Sequence, residues 1–258
     1  MKLRYPRVMS HFPADLYSLL HRGHDGDVEF YTRACAGLSA VLELGCGDGR
    51  ITCPLAEFYP MLSVLGIDDN PSMISRAKRR AEQLPPRTRS NLRFEVSDMM
   101  RLNATAAFDA ILMPFTTFFC IPADARANFL QRILMALKPG GRFLFDGYIT
   151  NISDLDDADE FSPLTTVYQG DAPIHIFEKY QVDPIAQVIH VTYAHTQSAC
   201  LDDHAVRYTI QHHVADPEVL IRRLGDLGFV HTRRWGGFDG APPTPADELF
   251  ILSTQKPD

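Results

Sequence analysis

The sequence predicts an α/β fold in which helices cover both faces of a parallel sheet. Short apolar runs alternate with segments of helical period over residues 40–147, and this alternation is typical of βαβ units. The first run ends in three glycines at alternating positions, Gly45, Gly47 and Gly49. Glycine lets a backbone turn sharply and lets a ligand approach closely. We therefore expect a ligand cradle at the carboxyl edge of the sheet.

The elements of this region follow in order along the chain. The predicted strands cover 40–44, 63–67, 92–96, 109–113 and 142–146, and the predicted helices cover 50–58, 71–83 and 123–137. The segment Lys138-Pro139-Gly140-Gly141 is interpreted as the stop of the last helix. Parallel strands joined by helices imply right-handed crossovers.

The segments on either side of this core have a different character. Residues 1–39 predict a helical preface, with one helix near 13–21 and a second that Asp27 could cap. Residues 148–215 lose the helical period and alternate in polarity, which predicts an antiparallel insertion after the fifth strand. Residues 216–258 return to a helix, with Asp216 as its cap, and to two final strands.

Composition and charge argue against several classes of function. The chain of 258 residues has a formal charge of −7, whereas nucleic-acid binders usually show a basic face. No apolar run approaches the length of a membrane span, and the N-terminus lacks the apolar stretch of a signal peptide. The five cysteines are scattered, without CxxC spacing, which favours free thiols and a cytoplasmic protein over a disulfide framework or a metal site.

The spacing of the glycine turn decides between ligands. A dinucleotide fingerprint needs Gly-x-Gly-x-x-Gly, but the position of its third glycine is occupied by Arg50. A P-loop needs Gly-Lys-Ser/Thr, which is absent from this turn. The turn instead reads as an acid, Glu43, followed by three glycines at alternating positions.

This pattern resembles the class I S-adenosylmethionine-dependent methyltransferases, whose Rossmann-like sheet begins with such a motif. Further signatures follow at similar intervals: Asp68 at the end of the second strand, Asp98 after the third, and Leu137 to Gly141 before the fifth. The resemblance covers roughly residues 35–150 and the final strands. Each acid alone would suit a helix cap or a turn, and their joint spacing carries the resemblance.

The resemblance implies S-adenosylmethionine as cofactor, S-adenosylhomocysteine as product, and no metal. It implies that Asp68 accepts hydrogen bonds from the ribose hydroxyls, that Asp98 and the Met99 backbone meet the adenine edge, and that Met73 contacts adenine. The implied cofactor-binding residues are Glu43, Gly45, Cys46, Gly47, Gly49, Asp68, Asp69, Met73, Asp98, Met99 and Met113. Within this set, Cys46 is interpreted as a small packing residue rather than a nucleophile.

The sequence indicates the methyl acceptor less clearly than it indicates the cofactor. The stretch from Met113 to Cys120 departs from the Asn/Asp-Pro-Pro-Tyr/Phe signature of nucleobase and glutamine methyltransferases. It is more similar to small-molecule N- and O-methyltransferases with an N-terminal lid and an antiparallel insertion on the substrate side. We therefore expect a small-molecule methyl acceptor and no nucleic-acid or membrane partner. The oligomeric state stays open, a homodimer included, as do a protein or RNA methyltransferase and a non-catalytic cofactor-binding regulator.

No universal catalytic residue is expected, because the sulfonium is already an activated electrophile and positioning does much of the work. The candidates for the acceptor side are Tyr148, just past the fifth strand, and Tyr17 and His21 of the preface. His24, which borders the same glycine break as His21, could serve as a lid residue or base. Tyr148 is the first choice among these residues, and for Tyr17, His21 and His24 a packing or solvated role is the competing interpretation.

Overall fold

The computed structural model describes residues 12–158 and 160–258 of the chain. Contacts divide the chain into two compact units. One unit contains the described residues up to Arg22 together with 151–214, and the other contains 23–150 and 215–258. Residues 1–11 of the predicted N-terminal lid lie outside the described residues.

The larger unit is built on a seven-stranded sheet and the smaller on a four-stranded antiparallel sheet. In chain order the strands are β1 (Ala40–Leu44), β2 (Ser63–Asp68), β3 (Leu92–Val96), β4 (Phe108–Met113), β5 (Leu137–Tyr148), β6 (Ser162–Gln169), β7 (Ala172–Asp183), β8 (Val188–Thr196), β9 (Val206–His213), β10 (Val230–Trp235) and β11 (Leu249–Gln255). The larger sheet has the order β10-β11-β5-β4-β1-β2-β3. In this sheet β11 pairs antiparallel with both β10 and β5, and the other neighbouring strands pair parallel. The predicted fold class is confirmed.

Helices connect the strands of the larger sheet. The described helices are α1 (Ala14–Leu20), α2 (Asp27–Ala34), α3 (Thr52–Phe58), α4 (Pro71–Glu82), α5 (Pro86–Arg89), α6 (Arg126–Ala136) and α7 (Pro217–Asp226). The predicted cap of α7 is confirmed, since the Asp216 carboxylate accepts hydrogen bonds from the amides of Glu218 and Val219. Within the described ranges, no helix is long and apolar enough to cross a membrane.

Two local predictions were wrong. Asp27 does not cap α2: Gly26 occupies that position in a left-handed conformation, and the buried Asp27 carboxylate pairs with Arg50 instead. The segment Lys138 to Gly141 follows the end of α6 at Ala136, as predicted, but its residues belong to β5 instead of preceding that strand. An irregularity in the β4–β5 pairing accommodates these residues, and Lys138 forms an ion pair with Asp109 on β4.

The core of the larger unit consists of the apolar runs that predicted its strands. Leu42 and Leu44 of β1, Ile111 of β4 and Phe143 of β5 are all fully buried. A strand buried on both faces needs continuous apolar residues, and this is why these runs were recognisable in the sequence.

The smaller unit contains one strand that the sequence pattern missed. β6 is an edge strand, paired only with β7, and Val167 alone among its residues is buried. Without alternation there was no signal to detect. Leu16, Leu19 and Leu20 of α1 pack against the apolar cluster that includes Val167.

Candidate functional site

The glycine turn after β1 adopts a backbone that suits only glycine. Gly45, Gly47 and Gly49 have φ values of +66°, +53° and +79°, where a side chain is strained. A Cβ on Gly45 would lie 2.6 Å from Cγ2 of Thr117, and one on Gly49 would lie 3.1 Å from Sγ of Cys53. A Cβ on Gly47 would meet no atom within 4 Å. Gly47 is therefore the position where the turn faces open space.

Asp68 connects the end of β2 to this turn. One of its carboxylate oxygens accepts a hydrogen bond from the Gly47 amide at 2.9 Å, and the other accepts from the Asn70 amide at 2.9 Å. Asp69, the next residue, is exposed. The predicted acid of β2 and the predicted glycine turn thus meet at one edge of the sheet.

Asp98 lies after β3 at the same edge, since β2 and β3 are parallel neighbours. Its carboxylate caps a short 3-10 helix, accepting a hydrogen bond from the Met100 amide at 2.8 Å, and it pairs with Arg101 at 3.3 Å. Nearly half of the Asp98 side chain is exposed. One face of the carboxylate is therefore open to a ligand that approaches along the strand ends.

Glu43 and Cys46 are interior residues of the turn. Glu43 is 3% exposed, and its carboxyl accepts a hydrogen bond from the Thr52 hydroxyl at the start of α3. Burial raises the pKa of Glu43 to about 8, opposed by that hydrogen bond and by the charge of Arg50. Burial also raises the pKa of the Cys46 thiol well above its ordinary value. Cys46 is thus not a reactive thiolate.

The three methionines of the predicted site differ in exposure. Met73 on α4 and Met113 at the end of β4 are buried, at 1% and 0% exposure. Met99 follows Asp98 and is only half-buried. Of the three side chains, Met99 is the one that is partly exposed and can contact a ligand without rearrangement of the core.

The loop after β4 lies beside the glycine turn, because Thr117 fills the space above Gly45. Two consecutive residues of this loop, Phe115 and Thr116, have left-handed φ values of +57° and +61°. Such a conformation costs a side-chain-bearing residue on the order of 1 kcal/mol or more, and it persists only where the surroundings impose it.

Asp146 imposes that conformation. It lies near the end of β5 at 2% exposure, and its carboxylate accepts hydrogen bonds from the amides of Phe115 and Thr116 at 2.8 Å each. The Tyr31 hydroxyl on α2 donates a third at 2.6 Å. Burial raises the pKa of Asp146, and these three donors oppose the rise. One buried carboxyl thus holds the β4 loop and α2 together.

A second polar link joins α2 to the glycine turn. Arg50, directly after Gly49, forms an ion pair of 2.7 Å with the buried Asp27. The Arg50 guanidinium lies 5.5 Å from the centre of the Phe115 ring. Gly23 lies so close to this guanidinium that a Cβ there would collide with it. The break between α1 and α2 therefore needs a glycine for a packing reason.

His24 packs at the same place. Its ring lies 5.3 Å from the ring of Phe115 and 5.6 Å from the ring of Phe238, and the residue is exposed. It is thus a polar side chain beside the loop that covers Gly45.

The candidates chosen from the sequence are distributed over both units. Tyr148 ends β5 in the larger unit, with its ring edge-on to Phe119 at 5.1 Å. Tyr17 and His21 belong to the smaller unit, where their rings lie 4.2 Å apart and His21 packs against Tyr193 of β8. The two histidines of the glycine break thus belong to different units, His21 to the smaller and His24 to the larger.

The smaller unit contains a group of histidines, of which His195 is buried and His21 and His212 are partly buried. His21, His195 and His212 each have a pKa lowered to about 4, chiefly by burial and, for His21, also by the charges of the other two. The group is surrounded by Tyr17, Tyr193 and Tyr208, with Glu178 near Tyr193 and His213 next to His212. His195 and the Tyr208 hydroxyl are 3.2 Å apart.

We predict that acid destabilises the smaller unit. Because the folded pKa values lie below the ordinary histidine value of 6.5, the unfolded chain takes up protons first, so stability is complete above about pH 6.5 and falls toward pH 4. Each pKa unit corresponds to about 1.4 kcal/mol per group. Thermal unfolding at pH 7.5 and pH 5.0 measures the loss, and His195→Phe should reduce it. His204→Gln, which changes an exposed histidine of the same unit, should leave it unchanged. Equal stability of the parent protein at both pH values would contradict the prediction.

Sequence reasoning missed the polar links that organise the site. Asp146, Tyr31, Asp27 and Arg50 were each within predicted elements, but their partners are distant in sequence: 115 residues separate Tyr31 from Asp146. The only signal in the sequence was Asp146, an acid at the end of an apolar strand. A charged side chain is costly to bury without partners.

The geometry fits the cofactor that the resemblance implies. An open backbone position at Gly47 stands beside Asp68, and the partly exposed Asp98 follows on the neighbouring strand. A carboxylate at such a strand end can hold both ribose hydroxyls. Among the described residues, no group of histidine, cysteine or acidic side chains is arranged to hold a metal ion.

Comparison with known proteins agrees with this geometry. Residues 41–141 match the family described as a methyltransferase domain. A trans-aconitate 2-methyltransferase from Deinococcus radiodurans is 39% identical over 101 residues, which cover 39% of this chain and 34% of that protein. The matched region thus spans about a third of that relative's length.

Two solved structures resemble nearly the whole chain. The CcbJ methyltransferase from Streptomyces caelestis matches with a TM-score of 0.75 and 20% identity, covering 91% of this chain and 90% of that one. CalS10, an S-adenosylmethionine-bound amino pentose methyltransferase from Micromonospora echinaspora, matches with a TM-score of 0.66 and 15% identity, covering 95% and 98%. At these identities the likeness is one of fold. The matched domain and this fold agree with the resemblance drawn from the glycine turn.

Proposed function

We propose that this chain is a class I S-adenosylmethionine-dependent methyltransferase that transfers a methyl group from this cofactor to a nitrogen or oxygen of a small molecule. The observation that carries the proposal is the left-handed turn at Gly45 to Gly49, open at Gly47 and tied to Asp68. The product of the cofactor would be S-adenosylhomocysteine.

The cofactor-binding roles follow from position. Gly45, Gly47 and Gly49 would hold the methionine part, with Glu43 and Cys46 supporting the turn from inside. Asp68 would accept the ribose hydroxyls, and Asp69, exposed beside it, would share that role. Asp98 and the Met99 backbone would meet adenine. Met73 and Met113 would supply apolar surface beneath it, which requires a small opening of the core at these buried side chains.

The cofactor supplies an electrophilic methyl group on a sulfonium. This chain's own residues must align an acceptor lone pair with it and exclude water. The loop at 114–117 is positioned for this work, because Thr117 touches the glycine turn and Phe115 forms a wall beside it. A base is needed only where the acceptor carries a proton. Of the sequence candidates, His24 is the exposed histidine against that wall, and we assign it this role ahead of His21 and Tyr17. Tyr148 remains a candidate contact to the acceptor.

The class of acceptor rests on the relatives. The names of the Deinococcus protein and of CalS10 refer to trans-aconitate and to an amino pentose, and both are small molecules. The residues of the larger unit that would select one acceptor are those of the loop after β4. A cytoplasmic location, predicted from the scattered cysteines, belongs to the same proposal and is supported by five free thiols.

Cofactor binding by the Asp68→Ala variant tests the proposal. Loss of a carboxylate that accepts hydroxyl and amide hydrogen bonds should weaken S-adenosylmethionine binding by about 10- to 100-fold, measured by isothermal titration calorimetry. Asp68→Asn, which keeps one oxygen to accept from the Gly47 amide, separates loss of ribose contacts from loosening of the turn. Glu57→Ala removes an exposed acid from α3 of the same unit and should bind normally.

Two results would overturn the proposal: no binding of S-adenosylmethionine by the parent protein, or binding undisturbed in Asp68→Ala. Turnover requires a second measurement. Incubation with methyl-labelled cofactor and a metabolite extract should transfer label to a small molecule. Transfer to protein or RNA in place of the small-molecule fraction would contradict the assigned acceptor class.

A further inference from the structure

A cavity lies outside the proposed cofactor site. It has a volume of about 870 Å³ and lies against one face of the larger sheet at β5, β10 and β11, beside α2. None of the predicted cofactor-binding residues lines it. Its chemistry is set by Arg33, Arg142 and Arg233, by the aromatic side chains Phe30 and Trp235, and by Asp239.

The secondary structure explains why these side chains share one space. Alternate residues of a strand point to the same face of a sheet. The cavity is lined by such pairs: Arg142 with Leu144 on β5, Ser253 with Gln255 on β11, and Arg233 with Trp235 on β10. From the helix, Phe30, Arg33 and Ala34 project from one face of α2, since they are spaced at i, i+3 and i+4.

The charges of the cavity are unbalanced. Within residues 12–158 and 160–258, Arg33, Arg142 and Arg233 form no ion pair, whereas Arg50 and Arg234 each have a carboxylate partner. Arg142 donates one long hydrogen bond, of 3.4 Å, to the Ala34 carbonyl. The one lining acid, Asp239, accepts a hydrogen bond from the Ala241 amide. Three guanidinium groups thus face one carboxylate in a chain of net charge −7.

We propose that this cavity binds a small organic oxyanion, a carboxylate or a phosphate ester with a flat apolar part. The planar fork of arginine matches both anions and binds them bidentately. Arg142 and Arg233 lie on strands separated by β11, roughly 10 Å apart across the sheet, so two anionic groups on one ligand can be held at once. The half-buried Trp235 ring and the buried Phe30 ring provide the apolar wall.

The binding site contains its own reporter, because Trp235 is the only tryptophan of the chain. The full-length protein is titrated with citrate and, separately, with phenyl phosphate, at ionic strength held constant with sodium chloride, while the tryptophan emission is recorded. We expect a saturable change with at least one of the two anions. A response to citrate alone identifies a carboxylate ligand, and a response to phenyl phosphate alone identifies a phosphate ester.

Variants locate the response. Arg142→Gln and Arg233→Gln should each weaken the binding at least about tenfold, because each removes a bidentate charge-assisted contact. Arg222→Gln removes an exposed arginine of α7 outside the cavity and should titrate like the parent protein. Calorimetric binding of S-adenosylmethionine should be equal in all variants, which keeps this test independent of the proposed methyl transfer.

Three results would overturn the proposal. The first is no saturable change with either anion, and the second is an equal response in the arginine variants. The third combines two observations: analytical ultracentrifugation shows a dimer that the Arg233→Gln substitution dissociates, and neither anion changes the tryptophan emission. That result would assign the cavity to a second copy of the chain.

Discussion

Replacing Asp146 with alanine is expected to lower the free energy of unfolding by roughly 3–6 kcal/mol, because it leaves one buried hydroxyl and two partly buried amides without an acceptor, at about 1–3 kcal/mol each with the amides toward the lower end. Those donors are the Tyr31 hydroxyl and the amides of Phe115 and Thr116. Methyl transfer should fall with stability, because the loop that covers Gly45 loses the contact that holds its left-handed residues. Urea unfolding and turnover by the folded fraction measure the two effects.

Matched variants separate the parts of this network. Tyr31→Phe removes only the hydroxyl and should cost about 1.5–3 kcal/mol while leaving the loop in place. Asp146→Asn should not rescue the loop, since its amide nitrogen would face another donor. Thr116→Gly introduced into Asp146→Ala should recover part of the stability, because glycine adopts a φ of +61° without strain. Equal losses in Asp146→Ala and Tyr31→Phe would contradict the role given to Asp146.

The parallel core was predictable because its signals are local. A buried strand needs a continuous apolar run, so β1 and β4 were visible as such in the sequence. The glycines of the turn were visible because their backbone admits no side chain, and Asp68 and Asp98 because each stands at a strand end. These features depend on a residue's own neighbours in sequence, and a single chain contains them all.

The polar network was not predictable because it depends on long-range pairing. The sequence shows Asp146 only as an acid at the end of a strand, and Tyr31 only as one aromatic residue of an amphipathic helix. For a related reason, the sequence did not show that His21 and His24 belong to different units. The two residues are separated by Arg22 and Gly23, and the boundary between the units falls between those two. Only contacts distant in sequence decide which unit each joins.

The edge strand β6 marks another limit. Its residues are mostly exposed, so no apolar pattern distinguishes it from a loop, and its strand character comes from pairing with β7.

The cavity lined by Arg33, Arg142 and Arg233 was also not predictable from the sequence. Its residues come from three elements far apart in the chain, and each arginine alone reads as an ordinary surface charge.

Replacing Gly47 with alanine is expected to weaken S-adenosylmethionine binding at least about tenfold, or 1.4 kcal/mol, while the protein stays folded. Gly47 is the glycine of the turn whose Cβ would enter open space, and we place the methionine part of the cofactor in that space. The added methyl group would displace it. The φ of +53° adds a strain of about 1–2 kcal/mol, which lowers stability independently of the ligand.

Gly37 provides the control for that strain. It has a φ of +75°, and a Cβ there would also meet nothing within 4 Å, but it lies in the turn between α2 and β1, away from the strand ends that form the cradle. Gly37→Ala should therefore match Gly47→Ala in thermal unfolding and the parent protein in cofactor binding. If Gly47→Ala bound the cofactor as tightly as Gly37→Ala, the space above Gly47 would not be the methionine site. The turn would then share the sequence pattern of the family without binding the methionine part of the cofactor.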